Sequence, residues 1–110
     1  MVKVSILFGR PADEGAFEEH FTRVHVPAGA RVPGLKRIEL GKFDTVFSTV
    51  AEERRLYRVV ELWFEDEGAL QQALSSPEAT VAIDDLPTFA TGGVTVLTSK
   101  VEEVAAAAIA

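Results

Sequence analysis

Two histidines, His20 and His25, are the side chains of this 110-residue chain whose ordinary pKa lies nearest to neutral pH, and the chain contains no cysteine. A neutral imidazole can take a proton from an acidic carbon or a phenol and return it near neutral pH. His25 is therefore the leading candidate for acid/base catalysis. A single histidine at a helix edge is commonly structural, and this alternative stays open for His25. His20 matches no motif, and we expect it to be structural.

The segment around these histidines has the spacing of an amphipathic helix that begins at Asp13, a residue suited to capping its first turn. At about 100° per residue, one narrow stripe is expected to face a core. The stripe consists of Phe17, Phe21, Val24 and Ala28. His20 and His25 border it, each roughly 70° from its centre. Pro27 disfavours helical geometry at the preceding residue, so the helix is expected to end near His25 or to kink there.

A second group of candidates lies on the strongly apolar segment 56–65, which reads as a strand with apolar residues on both parities. Tyr57, Glu61 and Trp63 share one parity of this strand, which predicts an aromatic wall that carries one carboxylate. Trp63 has a competing interpretation, because large aromatic side chains usually fill the core.

Glu61 also has two interpretations. A carboxylate on an aromatic face must be paired or exposed at a rim. It could orient His25 or act as a second acid/base group, but a salt bridge to Arg37 or Arg58 would explain it equally well.

The sequence lacks the patterns of metal and nucleotide sites. Five positions separate His20 from His25, which places them on different faces of an α-helix, and no thiolate or carboxylate cluster completes a ligand set. There is no Gly-x-Gly-x-x-Gly, no phosphate loop and no serine nucleophile elbow. We therefore expect neither a metal nor a bound cofactor. Asp84 and Asp85 oppose the dipole at the end of a predicted helix, which indicates a non-helical turn or a reason for these residues other than helix stability, and a solvated loop is the simpler interpretation.

Periodicity divides the rest of the chain into elements. The predicted order is a strand at 2–8, the helix from Asp13, strands at 35–40 and 56–65, a short helix capped by Asp66, a helix at 77–86 and a strand at 94–101. Ser75 followed by Glu78 resembles a capping box for the helix at 77–86. Residues 43–55 have the weakest pattern and are expected to form a loop. The order predicts an α+β, ferredoxin-like βαββαβ domain with an antiparallel four-stranded sheet, spanning residues 1–104. The alanine-rich residues 105–110 are expected to form a tail.

Composition and strand patterning restrict the partners. Helices cover one face of such a sheet, yet several strands are apolar on both parities, so we expect a homodimer in which two sheets pack into a dimeric α+β barrel. The formal net charge is -6 and no basic stripe is present, which argues against nucleic acid. No apolar run is long enough to span a membrane, and Met1 leads directly into a strand pattern. We expect a cytoplasmic protein.

An ordered set of motifs resembles the EthD-like family of dimeric α+β barrel proteins over most of the chain. The matching residues are Phe21, His25, Val26 and Pro27, then Pro33, Gly34 and Leu35, then Glu61, Leu62, Trp63 and Phe64, then Ser76, Pro77 and Glu78, and finally Asp85 and Phe89. The chain departs from the family where Phe21 replaces a frequent tryptophan, where Ala28 replaces a leucine, and where Ala90 and Thr91 replace a common acidic residue.

The resemblance implies a cleft between sheet and helices and a role in the breakdown or tailoring of small organic molecules. It adds Phe21, Asp85 and Phe89 to the candidate ligand-binding residues and strengthens the case for His25. The first hypothesis is a cofactor-independent enzyme, of an oxidoreductase or proton-transfer type, that acts on a small apolar or aromatic ligand. The alternatives are a non-catalytic binding or accessory protein that works with an oxidoreductase system, and a structural dimer with a vestigial pocket.

Overall fold

The fold is described from a computed structural model, which covers residues 1–44 and 55–107. The elements are strand β1 (Val2–Gly9), helix α1 (Glu14–His20), a π-helical turn (Phe21–His25), helix α2 (Val26–Gly29), strands β2 (Leu35–Lys42) and β3 (Leu56–Phe64), helices α3 (Glu67–Leu74) and α4 (Pro77–Phe89), and strand β4 (Val94–Lys100). The predicted loop at 43–55 lies mostly outside the described residues. Residues 101–107 form neither helix nor strand.

The four strands form one antiparallel sheet in the order β2-β3-β1-β4. This is the predicted ferredoxin-like α+β arrangement, in which each half contributes a strand, helices and a second strand. The helices cover one face of the sheet. Along β1, the residues of the covered face include Val2, Val4 and Phe8, all of which are buried.

Helices α1, α3 and α4 begin at side-chain caps. The side chain of Asp13 accepts a hydrogen bond from Ala16 N at 3.0 Å, and that of Asp66 accepts one from Ala69 N at 2.8 Å, as their sequence positions predict. The cap of α4 is Ser76, not the predicted Ser75, and the helix runs to Phe89 rather than to residue 86.

The core between sheet and helices is mostly aromatic at the end that holds His25. Phe8 on β1 contacts Phe17 and Phe21 edge-on, with ring centroids 5.5 and 5.7 Å apart. Phe89, from the end of α4, lies 5.8 Å from Phe8. A second, aliphatic cluster surrounds Phe64 towards the other end of the sheet. The aromatic cluster therefore connects the first helical segment, the sheet and α4 through contacts with Phe8.

The π-helical turn changes which residues of the first helical segment reach this core. Val26 N donates to Phe21 O, five residues back, which widens the helix just before Pro27. Because a wider turn advances fewer degrees per residue, Phe17, Phe21 and His25 stay in line and are all buried. The expectation that Val24 faces the core is wrong, since Val24 is 47% exposed. The helix continues past His25 instead of ending there.

Among the described residues, no helix combines the length and the apolar composition that crossing a membrane requires.

Candidate functional site

A cavity of ≈ 270 Å³ lies between the covered face of the sheet and the helices. Its walls come from all four strands and from the π-turn, α2, α3 and α4. The lining residues are Val4, Ile6, His25, Val26, Gly29, Val32, Ile38, Val60, Leu62, Phe64, Leu70, Ala73, Leu74, Ala79, Ala82, Ile83, Leu86 and Val96. His25 is the one member of this set with a polar side chain, so any recognition by polar side chains of the described walls depends on its imidazole.

Aromatic rings enclose the imidazole of His25, which is 5% exposed. Its ring centroid lies 4.8 Å from that of Phe89, 6.1 Å from that of Phe8 and 6.2 Å from that of Phe21. Nδ1 is 3.0 Å from Oδ2 of Asp85 on α4. The ring is therefore held by packing on its faces and edges and by one hydrogen bond at Nδ1.

Asp85 connects two imidazoles. Its Oδ2 contacts His25 Nδ1, and its Oδ1 lies 2.8 Å from His20 Nε2. The hydroxyl of Thr88 lies within donating distance of Asp85, 2.6 Å from its carbonyl oxygen and 3.1 Å from Oδ1. The prediction of a non-helical turn or a solvated loop at Asp84 and Asp85 is wrong, because both lie inside α4. Asp85 is positioned on this helix to hold the histidines, not to improve the helix dipole.

Burial and hydrogen bonding shift the pKa values of this pair. Burial lowers the pKa of His25, and the hydrogen bond and negative charge of Asp85 oppose that effect only partly. Burial acts to raise the pKa of Asp85, but hydrogen bonds from His20, His25 and Thr88 outweigh it, so the pKa is lowered. At neutral pH the pair is therefore a neutral imidazole and a carboxylate.

These protonation states define what His25 can do. An ionised carboxylate only accepts hydrogen bonds, so Nδ1 of His25 carries the hydrogen and Nε2 keeps its lone pair. Nε2 has no hydrogen-bond partner among residues 1–44 and 55–107. His25 is thus prepared to act as a proton acceptor at the wall of an apolar cavity, with Asp85 ready to stabilise the imidazolium that forms.

The structure separates the predicted aromatic wall. At the start of β3, the register passes from Phe8 opposite Arg58 to Gly9 opposite Leu56, which leaves Tyr57 as an extra residue. Tyr57 is buried in the helix-side core, where its ring meets that of Phe17 at 5.2 Å. Trp63 pairs with Lys3 on the opposite face of the sheet. Neither Tyr57 nor Trp63 lines the cavity, so the prediction of a shared aromatic wall is wrong.

Glu61 also lies away from His25, on the same uncovered face as Trp63. Its Oε1 is 3.4 Å from Lys3 Nζ. Of the two predicted arginine partners, Arg58 pairs with Glu18 and Arg37 pairs with Glu39. The carboxylate that orients His25 is that of Asp85, and the expected role of Glu61 in orienting His25 is wrong.

Phe21, Asp85 and Phe89, the residues added by the family resemblance, all contact His25. None of the three lines the cavity, so they hold the candidate base instead of forming the walls. Their contacts support the choice of this region as the candidate site.

His20 is the residue that sequence reasoning missed. An α-helix would place it on a different face from His25, five residues later, but the π-turn between them brings both imidazoles to Asp85. The available signal was the five-residue spacing of the histidines, the second of which lies two residues before Pro27. Within the described part of the chain, no cluster of three or more potential metal ligands occurs.

Comparison with known proteins identifies relatives along nearly the whole chain. The model of the EthD domain matches residues 10–93. An uncharacterized 11.0 kDa protein of Rhodococcus erythropolis, from the thcB-thcC intergenic region, is 38% identical over 104 residues, which cover 94% of this chain and 98% of that protein.

Solved structures with the same fold include a second EthD relative. An ethyl tert-butyl ether D family protein from Bacillus halodurans superposes with a TM-score of 0.79 at 27% identity and covers 93% of this chain and 99% of its own. SnoaB, a cofactor-independent oxygenase from Streptomyces nogalater, superposes with a TM-score of 0.62 at 17% identity, and the match covers 94% of this chain and 93% of SnoaB. A dimeric protein of ferredoxin-like fold from Bacteroides fragilis superposes with a TM-score of 0.61 at 15% identity, and the match covers 91% of this chain and 95% of that protein. The last two likenesses concern the fold.

The lowered pKa of His25 predicts a pH-dependent stability. The unfolded chain binds a proton on this residue at an ordinary pKa near 6.5, whereas the folded chain binds it only at lower pH. The free energy of unfolding should therefore fall as the pH decreases through about 6.5 towards the folded pKa. His25→Asn should lack this loss, since its amide can still donate to Asp85 but does not titrate.

Urea unfolding of both proteins between about pH 7.5 and 5 measures the effect. The other titratable groups are the same in both proteins, so the difference between the two curves isolates His25. Equal slopes for the wild type and His25→Asn would contradict the assignment of a buried, neutral imidazole.

Proposed function

This chain belongs to the EthD domain family, and we propose that it binds a small apolar organic molecule in the cavity and that His25 removes a proton from it without a cofactor. The observation that carries the proposal is the position of His25. It is the polar side chain in an otherwise apolar lining, and its Nδ1 is occupied by Asp85. The remaining nitrogen, Nε2, is the atom available to a ligand.

The cavity restricts the ligand. Its ≈ 270 Å³ lies below the roughly 300–1,000 Å³ of pockets for drug-sized molecules, so the ligand is small. The lining is mainly aliphatic, and burying a charged group there without a partner would cost several kcal/mol. The ligand is therefore neutral in its resting form, with a compact carbon skeleton and one acidic C–H or O–H group directed at His25.

The chemical step is a proton transfer. Nε2 of His25 takes the proton, which leaves a carbanion, an enolate or a phenolate in the cavity, and the negative charge of Asp85 stabilises the imidazolium. Return of the proton to another carbon completes an isomerisation. With dioxygen as a co-reactant, the anion would instead pass one electron to O₂, the resulting radical and superoxide would join in a new C–O bond, and the peroxide would take back the proton from His25 as a hydroperoxide. The related fold of SnoaB, described as a cofactor-independent oxygenase, is compatible with the second course.

A binding or accessory protein is the second candidate function, and one observation favours it. Among the described lining residues, no hydroxyl, amide or cationic side chain accompanies His25. Preorganised donors usually stabilise the negative charge that develops when a carbon acid is deprotonated. A cavity without such side chains can hold an apolar compound and deliver it to an oxidoreductase without changing it.

We also propose that the chain forms a homodimer through the uncovered face of the sheet. Leu7 and Val59 lie opposite each other on this face, and Trp63 and Leu97 share it. Leu97 is 51% exposed in the single chain. Burial of such a face against a second copy is the economical solution for a sheet with helices on one side, and the Bacteroides fragilis neighbour is described as dimeric.

Filling the cavity should abolish ligand binding. Ala82 lines the cavity from α4, whereas the neighbouring Val81 is 60% exposed. We expect Ala82→Phe to weaken the binding of neutral phenols, cyclic ketones and ethers at least about 10-fold, because the added ring occupies the ligand's volume. Val81→Phe is the matched control and should leave affinity unchanged. NMR titration of the ring signals of His25 measures binding, and equal affinities in the two variants would place the ligand elsewhere.

Removal of the base should abolish proton transfer while the ligand still binds. For a cyclic ketone that enters the cavity, His25→Asn should slow exchange of the α-hydrogen in D₂O by about 10²–10⁴-fold, the usual contribution of a general base. Val24→Asn, at an exposed neighbouring position, should exchange like the wild type. The assay is proton NMR of the ketone. If the wild type binds cyclic ketones tightly but catalyses the exchange of none of them, the result would favour the function of a binding or accessory protein.

A charge on the uncovered sheet face should separate the proposed dimer. Val59→Glu would place two unpaired carboxylates in the interface, which costs about 3 kcal/mol or more and raises the dissociation constant at least about 100-fold. Light scattering at micromolar concentration should give twice the 11.9 kDa chain mass for the wild type and the single mass for the variant. Thr22→Glu, on the helical side, is the control. A single mass for the wild type would refute the dimer.

A further inference from the structure

His20 lies at the solvent side of the Asp85 carboxylate. Its side chain is 31% exposed, whereas those of Asp85 and His25 are 15% and 7% exposed. The ring rests on Phe89, with centroids 4.9 Å apart and planes 30° from parallel. Three side chains thus form a row that leads from the cavity wall to the surface of the helical layer.

The carboxylate needs a second contact to have a defined orientation. The terminal torsion of an aspartate is broad and roughly two-fold, so a single hydrogen bond to His25 leaves the group free to rotate. His20 removes this freedom, because it contacts Oδ1 at 2.8 Å while His25 contacts Oδ2 at 3.0 Å. Thr88 adds a donor on the same side as His20.

We propose that His20 is a positioning residue of the site, which holds Oδ1 of Asp85 so that Oδ2 keeps the Nδ1–H form of His25 and leaves Nε2 free to accept a proton. This inference rests on the proposed function for its catalytic meaning. The hydrogen bonds of His20 and His25 to Asp85 exist in the free protein, so the role of His20 can be tested without a ligand.

The charges around this row also link His20 to the strength of the base. Asp85 faces His20 from α4, and His25 faces the same carboxylate from the π-turn. The neighbouring Glu19 and Arg23 form their own exposed pair at 3.7 Å, and Asp84 forms no salt bridge within residues 1–44 and 55–107. Burial is the main cause of the lowered pKa of His25, and positive charge on His20 adds to it.

Two substitutions separate the hydrogen bond of His20 from its charge. In His20→Gln the side-chain amide can donate to Oδ1 as Nε2 does, but it never carries a charge. His20→Leu has no donor. Glu19→Leu introduces the same apolar side chain one residue away and is the matched control. If His20→Leu does not fold, His20→Ala replaces it, and unchanged shifts of the buried aromatic residues serve as the test of folding.

The first measurement is ¹⁵N NMR of the imidazole of His25 in the free protein above its pKa. We expect the Nδ1–H form to dominate in the wild type, His20→Gln and Glu19→Leu, and the Nε2–H form to become comparably populated in His20→Leu. The pH titration of His25 should also begin at a higher pH in His20→Gln than in the wild type, because the neighbouring positive charge is absent.

The second measurement is the exchange of a ketone α-hydrogen described above. His20→Leu should reduce its rate about 10-fold, in line with the loss of an outer partner of a functional imidazole, and His20→Gln should restore it to within about 3-fold of the wild type. A tautomer of His25 that is the same in His20→Leu as in the wild type overturns the inference. Failure of every compound to bind or exchange overturns the proposed function alone, since the tautomer is measured without a ligand.

Discussion

The helical phase set by the π-turn at Phe21–His25 is the constraint on which the site depends. Pro27 has no N–H, and in a regular α-helix its ring would clash with the carbonyl four residues earlier. The widened turn lets the helix pass this position with a hydrogen bond from Val26 to Phe21. It also turns His25 towards the sheet and His20 towards α4. One backbone irregularity therefore places two titratable side chains at one carboxylate.

Three features of the surroundings allow His25 to be buried. Aromatic neighbours pack against its faces and edges, Asp85 accepts from Nδ1, and the cavity leaves room beside the ring. Burial disfavours the imidazolium while Asp85 favours it, and the balance keeps the ring neutral. The same opposition makes the ring useful as a base, because Asp85 stabilises the charge only after a proton has been taken.

The two faces of the sheet differ in their side chains and in their surroundings. The covered face supplies the apolar cavity and the aromatic core, with Phe8 at its centre. The uncovered face carries Trp63 between Lys3 and Arg37, whose charged groups lie 5.5 and 5.1 Å from its ring. Glu61 balances Lys3 on that face. The shift that leaves Tyr57 as an extra residue in β3 explains why residues of one sequence parity end on opposite faces.

The amino-acid sequence by itself determined the βαββαβ order, the strand-forming segments, the caps at Asp13 and Asp66, the family resemblance and the choice of His25. Alternation, helical spacing and capping are local properties, so they can be read from neighbouring residues. Only the tertiary structure decided that Val24 is exposed, that Tyr57 and Trp63 lie on different faces, and that Asp85 holds both histidines. These outcomes depend on a widened helical turn, on a register shift between paired strands and on a contact 60 to 65 residues apart in sequence. Periodic patterns assume regular geometry, and the side chains of the candidate site lie where that geometry is interrupted.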